Sequence, residues 1–304
     1  MQDTHQVICH ICAAPSGFLL EKDGFRLYKC PKCALVFVHP TIPIETLRKN
    51  IYSAESGFQT NRAENLESKP ENPRYKSVLD YICSLNPSAN ILDVGSGGGH
   101  FMYPAKKRGF RISGVELNGR LAESARAQNL DVFSGLLEEA PFAEHSFDAV
   151  FMGELIEHVP NPRQLIKEGK RMIASKGRLI ITTPNLDCLW SKTTFLLFRY
   201  FGIPWSSVTP PYHLFQFSSA NLDLLLKQEG WSLVTEWYLP IPSLRYELGS
   251  LHLLKRYKKE KTLRALAFMA FSYAVYAVIH TFIKIFHPFF RRDFEMVKVY
   301  EPAA

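Results

Sequence analysis

Apolar and polar positions follow two periods between residues 75 and 240. Short apolar runs that read as strands alternate with amphipathic stretches that read as helices. The strands predicted are Ile91–Val94, Arg111–Glu116, a third beginning at Val132-Phe133, Phe147–Met152, Arg178–Thr182 and Trp231–Leu239. Between them fall helices over Tyr75–Leu85, Phe101–Arg108, Leu121–Asn129, Pro162–Ile173 and Ser219–Glu229. Their ends carry the expected signals: Asn86-Pro87 and Lys176-Gly177 close two of them, Ser218 caps the last, and Gly230 terminates it. Phe147–Met152 is apolar throughout, as suits a parallel strand covered on both faces. Alternation of this kind predicts an α/β fold. A further strand, Phe294–Tyr300, is expected at the sheet edge.

Outside this stretch the pattern changes. Thr41–Pro73 is polar, with Pro43, Pro70 and Pro73, and reads as a linker with one short helix. Leu186–Phe217 is long for a connection and holds nine aromatic residues, among them Trp190, Trp205 and Phe215. Such insertions are usually lids or binding loops, although core packing could account for half of these rings. Ala265–Ile283 runs for nineteen residues without a charge. The expected division is therefore 1–40, a linker 41–73, a core 74–240 with a lid 186–217, a helical insertion 241–293 and a last core strand 294–304.

Charge sharpens the picture. The 304 residues hold 36 Lys and Arg against 29 Asp and Glu, a net +7. Lys255–Arg264 alone contributes +5, from six basic residues and one acidic. A balance so localised argues against a broad nucleic-acid face. The N-terminus has no basic segment followed by an apolar run, so no secretory signal is read and a reducing, cytoplasmic setting is expected.

In that setting the first four of six cysteines point to metal. Cys9 and Cys12, then Cys30 and Cys33, form two C-x2-C pairs seventeen residues apart, within the spacing of structural zinc sites. Two such turns complete a tetrahedral shell of four thiolates with no open position for water, so the expected Zn2+ is structural. Phe18–Leu20, a Lys22-Asp23-Gly24 turn and Phe25–Tyr28 between the pairs predict a hairpin, hence a zinc ribbon. Cys83 and Cys188 read as buried apolar thiols.

Asn90–His100, NILDVGSGGGH, places a strand, a glycine loop and a helix start in succession. Glycines let a ligand approach the backbone, and the free N–H groups at a helix start favour an anion. Glu116 ends the next strand, where a carboxylate can accept hydrogen bonds from both hydroxyls of a ribose. The dinucleotide fingerprint requires a glycine where His100 stands, so that register fails. Asp93 instead suits a ligand carrying an ammonium. In these residues the chain resembles class I S-adenosylmethionine-dependent methyltransferases: ILDVGSGGGHF is similar to their first motif, GVELN to their ribose-binding acid, SFDAVFMGELIEHVPNP to their fourth strand and GRLIITTPN to their fifth. The ribbon ending CPKCALVFVHP is similar to the front of many bacterial methyltransferases, several of which act in sugar, polysaccharide or secondary-metabolite pathways. The catalytic half resembles small-molecule enzymes grouped with ubiquinone-pathway O-methyltransferases. The fold implied is a Rossmann-like sheet of seven strands, with the ribbon in front and a helical C-terminal insertion. The resemblance implies S-adenosyl-L-methionine held by Asp93, Gly95, Ser96, Gly97, Gly99, Glu116, Leu117, Leu136, Leu137 and Gly153, with Leu136 and Leu137 beside the adenine.

The same resemblance places acceptor chemistry after the fourth strand, at Glu154, Glu157 and His158, and at His213 before the Phe217-Ser218 helix start. His158 or His213 could deprotonate an acceptor hydroxyl, with Glu154 beside them; helix-start capping is the plain alternative for Glu157-His158, and core packing for His213. Thr183-Pro184-Asn185 is not the N-P-P-[FY] motif of enzymes that methylate planar nitrogens. The expected function is O-methylation of a small molecule, with a sugar, lipid-linked or quinone-like acceptor. An RNA methyltransferase and a non-catalytic binding module are the alternatives. Residues 255–290 are expected to be buried, to self-associate, or to lie on a membrane surface, which would make the protein peripheral at the inner face, and a membrane span over 265–283 is the remaining alternative; Ala267, Ala270, Ala274 and Ala277 form a small-residue stripe suited to close packing.

Overall fold

The computed structural model describes residues 6–50, 66–68, 71–241, 243–286 and 293–303. The chain opens with three antiparallel strands, Gly17–Lys22 (β1), Phe25–Lys29 (β2) and Val36–Val38 (β3). Asp23 and Gly24 turn the first hairpin with φ of 53° and 82°, the left-handed backbone that a two-residue hairpin turn requires. Helix Ile44–Asn50 (α1) follows; of the predicted linker, residues 51–65, 69 and 70 lie outside the described residues.

The central sheet is built from Asn90–Val94 (β4), Arg111–Glu116 (β5), Asp131–Ser134 (β6), Phe147–Gly153 (β7) and Ile173–Pro184 (β8), with helices Pro73–Leu85 (α2), Met102–Lys107 (α3), Gly119–Arg126 (α4) and Pro162–Met172 (α5) between them. Asparagine starts three of these helices. Asn72, Asn118 and Asn161 each accept a first-turn backbone N–H, and Pro73 and Pro162 occupy a position where no N–H is needed. Helix Leu189–Phe201 (α6), strand Phe215–Gln216 (β9), helix Ser219–Gln228 (α7) and strand Trp231–Leu239 (β10) come next. After helices Leu244–Ser250 (α8), Leu253–Glu260 (α9) and Leu263–Phe286 (α10), strand Glu295–Pro302 (β11) returns to the sheet.

The seven-stranded order is β10-β11-β8-β7-β4-β5-β6. The last strand is therefore not at the edge, as the sequence suggested. It runs antiparallel between β8 and β10, and β10 takes the edge. Lys298 explains part of this placement: it is wholly buried, with its ammonium 2.8 Å from Asp223 of α7 and 2.6 Å from Glu236 of β10.

Alternation sorts the strands into two faces. Ile91, Ala149, Phe151, Ile180, Val297 and Val299 pack with α2 and α3. Leu92, Val94, Val150, Met152, Leu179 and Ile181 pack on the opposite face, with Ile166 of α5 and Leu222, Leu225 and Leu226 of α7. The ribbon belongs to this second core, since Leu27, Leu35, Val36 and Phe37 share it with Trp205, Val208 and Phe215.

The segment read as a lid is largely packed. Trp190, Trp205 and Phe215 are each under 5% exposed. β9 extends the ribbon sheet, pairing Val36 with Gln216 and Phe37 with Phe215. α6 forms a third core with the C-terminal insertion: Trp190 meets Tyr276 ring to ring at 5.3 Å and donates its indole N–H to Glu247 at 2.9 Å. Two stretches expected to act separately thus fold as one helical body.

Candidate functional site

Strand order reverses between β4 and β7, and open α/β sheets bind ligands at such a switch point, beyond the strand C-termini. A cleft of about 790 Å³ lies there, within the range of small-molecule sites. Its walls carry Gly95, Ser96 and Gly97 after β4, Glu116 and Leu117 after β5, Leu136 and Leu137 after β6, and Gly153, Glu154 and His158 after β7.

The glycine loop is ordered by the acid predicted to hold ribose. Glu116 accepts backbone N–H bonds from Gly97 and Asn118, both at 2.7 Å. Burial raises its pKa, and these N–H donors oppose the rise. Two bonds leave carboxylate lone pairs for further donors. Gly97 has φ +54°, and an added Cβ would meet nothing within 4 Å, so its backbone faces open space.

Two predicted cofactor residues do not line the cleft. Asp93 lies behind the wall formed by Val94 and Gly95, 3% exposed, with Oδ2 lacking a hydrogen-bond partner. Burial, and then the Glu116 charge, push its pKa well up. A buried carboxyl of this kind fits an approaching ammonium, which would restore its charge. Gly99 turns inward: φ is +88°, and a Cβ would stand 2.3 Å from Leu130 Cδ1. Its conformation serves packing against α4. Gly99→Ala is expected to lower stability by about 2–4 kcal/mol, from left-handed strain plus overpacking. Urea unfolding measures it, and a change below 0.5 kcal/mol contradicts this role.

The acidic and imidazole groups gather at the other end of the cleft. Glu154 adopts φ +50° and donates its N–H to Thr182 O at 2.9 Å, which aims its side chain toward Arg74, 3.9 Å away. Burial raises the pKa of Glu154, and Arg74 opposes the rise. Glu157 is 1% exposed; burial, and then the Glu154 charge, push its pKa well up. His158 Nδ1 lies 2.9 Å from Tyr212 O. A carbonyl only accepts, so Nδ1 carries the hydrogen and Nε2 the lone pair. Burial pulls the His158 pKa down to about 4, leaving the ring neutral at pH 7. His213 packs edge-on behind it, centroids 4.7 Å apart, beside a smaller cavity with Thr183 and Asn185 and off the main cleft wall. Donor atoms of Glu157, His158 and His213 lie within 4.8 Å of one another, close enough to share a cation.

Sequence reasoning missed Arg74 and Tyr75, which line the cleft from the start of α2. Arg74 pairs with both Glu154 and Glu295 of β11. Burial disfavours its charge, but those two carboxylates outweigh it and raise its pKa. The Asn72-Pro73 helix start was the available signal, because the cap fixes where the next two side chains point.

The four N-terminal cysteines come together as the spacing predicted. Cys9 and Cys33 sulfurs are 3.5 Å apart, Cys12 and Cys30 sulfurs 3.4 Å, and all four lie within 4.8 Å. Zn–S bonds of about 2.3 Å give tetrahedral edges of about 3.8 Å, so the cluster is compatible with zinc. Both turns are built alike. Ala13 donates its N–H to Cys9 O and Ala34 to Cys30 O, with φ of 55° and 60° at the two alanines.

The family model described as "Methyltransferase domain" (Methyltransf_23) matches residues 63–236, more than half the chain. Ubiquinone biosynthesis O-methyltransferase of Xylella fastidiosa is 31% identical over 119 residues, 35% of this chain and 47% of that enzyme. Sarcosine/dimethylglycine N-methyltransferase of Aphanothece halophytica is 30% identical over 131 residues, 38% of this chain and 47% of that enzyme. The chain thus spans about half the length of the curated relatives it matches. The crystal structure of the cyclase SpnF has the same fold, at 16% identity and a TM-score of 0.50 over 75% of this chain and 82% of that one. With the switch-point cleft, the ordered glycine loop and this match, the chain belongs to the methyltransferase-domain family.

Proposed function

We propose that the protein methylates the hydroxyl oxygen of a small molecule, with His158 as the base. The observation that carries this reading is the His158 ring itself, oriented by Tyr212 O, neutral, and on the cleft wall next to Gly153 and Glu154. S-adenosylmethionine supplies a methyl carbon activated by positive sulfur. Glu116 and the Gly95–Gly97 backbone would hold its adenosyl part, Leu117, Leu136 and Leu137 would flank the adenine, and Asp93 would neutralise its ammonium. The chain's remaining task is to align the acceptor and take its proton. A ring that titrates near 4 is a weak base. It therefore suits an acidic, quinol-like hydroxyl, with an ordinary pKa of about 10 for a phenol, better than the alcohol of a sugar. His213, behind His158, fixes the ring's position.

Incubation with methyl-labelled S-adenosylmethionine and separate panels of phenols, glycosides, amines and RNA tests the proposal. Label on phenolic oxygen is expected. Label confined to amines overturns O-methylation, and label in RNA supports the alternative. His158→Gln is expected to lower kcat about 100-fold, within the usual worth of a general base, with cofactor affinity unchanged by calorimetry. The sign of the pH dependence follows from the depressed pKa. His158 accepts a proton only when neutral, so this group leaves kcat flat from pH 6 to 8, and activity falls as pH drops toward about 4. An acidic limb near the ordinary histidine value of about 6.5 contradicts His158 as base.

We also infer that Cys9, Cys12, Cys30 and Cys33 hold a structural zinc ion. The closed set of four thiol donors supports this reading, since it leaves no position for a reacting group.

A further inference from the structure

The long C-terminal helix is apolar on its packed side, where Ala265, Ile283 and the half-buried Phe268, Met269 and Ile279 lie, and on its exposed side as well. α10 buries Ser272, Tyr276 and His280 against the protein. Ser272 donates to Phe268 O at 2.7 Å, Tyr276 donates to Pro204 O at 2.9 Å, and His280 meets the Trp190 ring. The opposite stripe, Ala267, Phe271, Ala274, Val278, Phe282 and Ile285, is exposed; Val278 is 70% exposed and Ile285 64%. The alanines expected to pack closely at 267, 270 and 274 face outward with it. A helix that faces water carries polar residues on its outer side, which α10 lacks along this stripe. Apolar surface continues onto the end of α6, where Phe201 is exposed and meets Phe271 at 6.5 Å between centroids.

The flank of this surface is cationic. Lys255, Arg256, Lys258, Lys259, Lys261 and Arg264 are all exposed on and just after α9. α9 packs against α10, and the Arg256 guanidinium lies 5.8 Å from the Phe268 ring centroid. An apolar stripe bordered by lysine and arginine matches the boundary of an anionic bilayer, acyl chains against the stripe and headgroups against the cations. A second copy docked through the same stripe would bring two such basic clusters toward each other.

α10 is long enough to cross a bilayer, 24 residues or about 36 Å, yet the fold does not release it. Leu239 at the end of β10 pairs with Glu295 at the start of β11, so the insertion leaves and rejoins the sheet at one point. One side of α10 is fixed to α6 and the segment after it.

We propose that α9 and α10 form a docking surface for an anionic lipid bilayer, with α10 lying in the plane of the interface. The proposal is independent of the acceptor's identity, and its test reads binding alone. The full-length protein is sedimented with vesicles of phosphatidylcholine, with and without phosphatidylglycerol. Partition onto the anionic vesicles is expected, at least tenfold above the neutral ones, and weakening as ionic strength rises from about 0.05 to about 0.5 M. Lys255→Glu, Lys258→Glu and Lys259→Glu together are expected to lower partition more than tenfold, with S-adenosylmethionine affinity unchanged. Phe271→Ser with Val278→Ser is expected to do the same on the apolar side. Should that pair fail to fold, the charge variant, confined to exposed positions, still decides. No anionic preference overturns the proposal. So does a stable dimer by light scattering that the apolar substitutions dissociate while lipid binding is absent.

Discussion

Glu116→Ala is expected to weaken S-adenosylmethionine binding about 100-fold. The carboxylate serves two ends of one site: it accepts the Gly97 N–H at 2.7 Å, which holds the loop in its left-handed turn, and it points into the cleft beside Leu117. Removing it deletes charge-assisted acceptors for the ribose hydroxyls, each worth about 1.5–3 kcal/mol. It also frees the Gly97 and Asn118 donors, and a loop residue with φ +54° and no side chain then loses its tether. Together these amount to about 3 kcal/mol, a little over two orders of magnitude in Kd. Glu116→Gln is the informative companion: it keeps an acceptor but loses the charge and presents donors to N–H groups, so an intermediate loss of about 10-fold is expected. Calorimetric titration with S-adenosylmethionine reads both. An alanine variant that binds within threefold of the parent would mean that Glu116 serves only to order the loop.

Much of this site was legible from sequence because its parts are local. Asp93, the glycines and Glu116 sit at strand ends, and strand ends are where period-two patterns break off. The cysteine cluster was legible for the same reason, since each half is a four-residue turn. Long-range pairings were not. Nothing near Arg74 indicates that it meets Glu295, 221 residues away, and that pairing exists only because the last strand inserts beside β8. Placing that strand at the edge was the error that hid it. The packing of the aromatic connection was hidden on similar grounds. An aromatic-rich connection has the same composition whether it covers a cleft or packs between two other segments, and only the partners, α10 on one side and the ribbon on the other, decide. Gly99 faces Leu130, a contact that its place in the glycine motif did not indicate.

Loss of the metal is expected to disable methyl transfer while sparing cofactor binding. The ribbon has no covalent or ligand role in the cleft, but its third strand carries β9 beside it, with Val38 donating its N–H to Leu214 O. Leu214 and Phe215 in turn donate their N–H groups to Glu157 O, at 2.8 and 3.1 Å, and His158 Nδ1 donates to Tyr212 O. A path of backbone segments and hydrogen bonds therefore runs from the ribbon strand that follows Cys33 to the proposed base. Lys22 strengthens the attachment, reaching Trp205 O and Val208 O. Structural zinc contributes of order 10 kcal/mol to the folding of small ribbons. Cys9→Ser with Cys30→Ser should therefore unfold the ribbon, strip the cover from Phe215 and lower Tm by about 10 °C or more, at roughly 2–4 °C per kcal/mol for a chain of this size. With β9 unpaired, Tyr212 no longer fixes His158, and kcat is expected to fall at least tenfold at saturating cofactor. Glu116 and the Gly95–Gly97 loop follow β4 and β5, which pair within the seven-stranded sheet and not with the ribbon strands, so the Kd for S-adenosylmethionine should change less than threefold. Metal analysis, calorimetry and turnover on one preparation separate these outcomes. Parallel loss of binding and turnover would mean general unfolding, and full turnover in metal-free protein would detach the ribbon from catalysis.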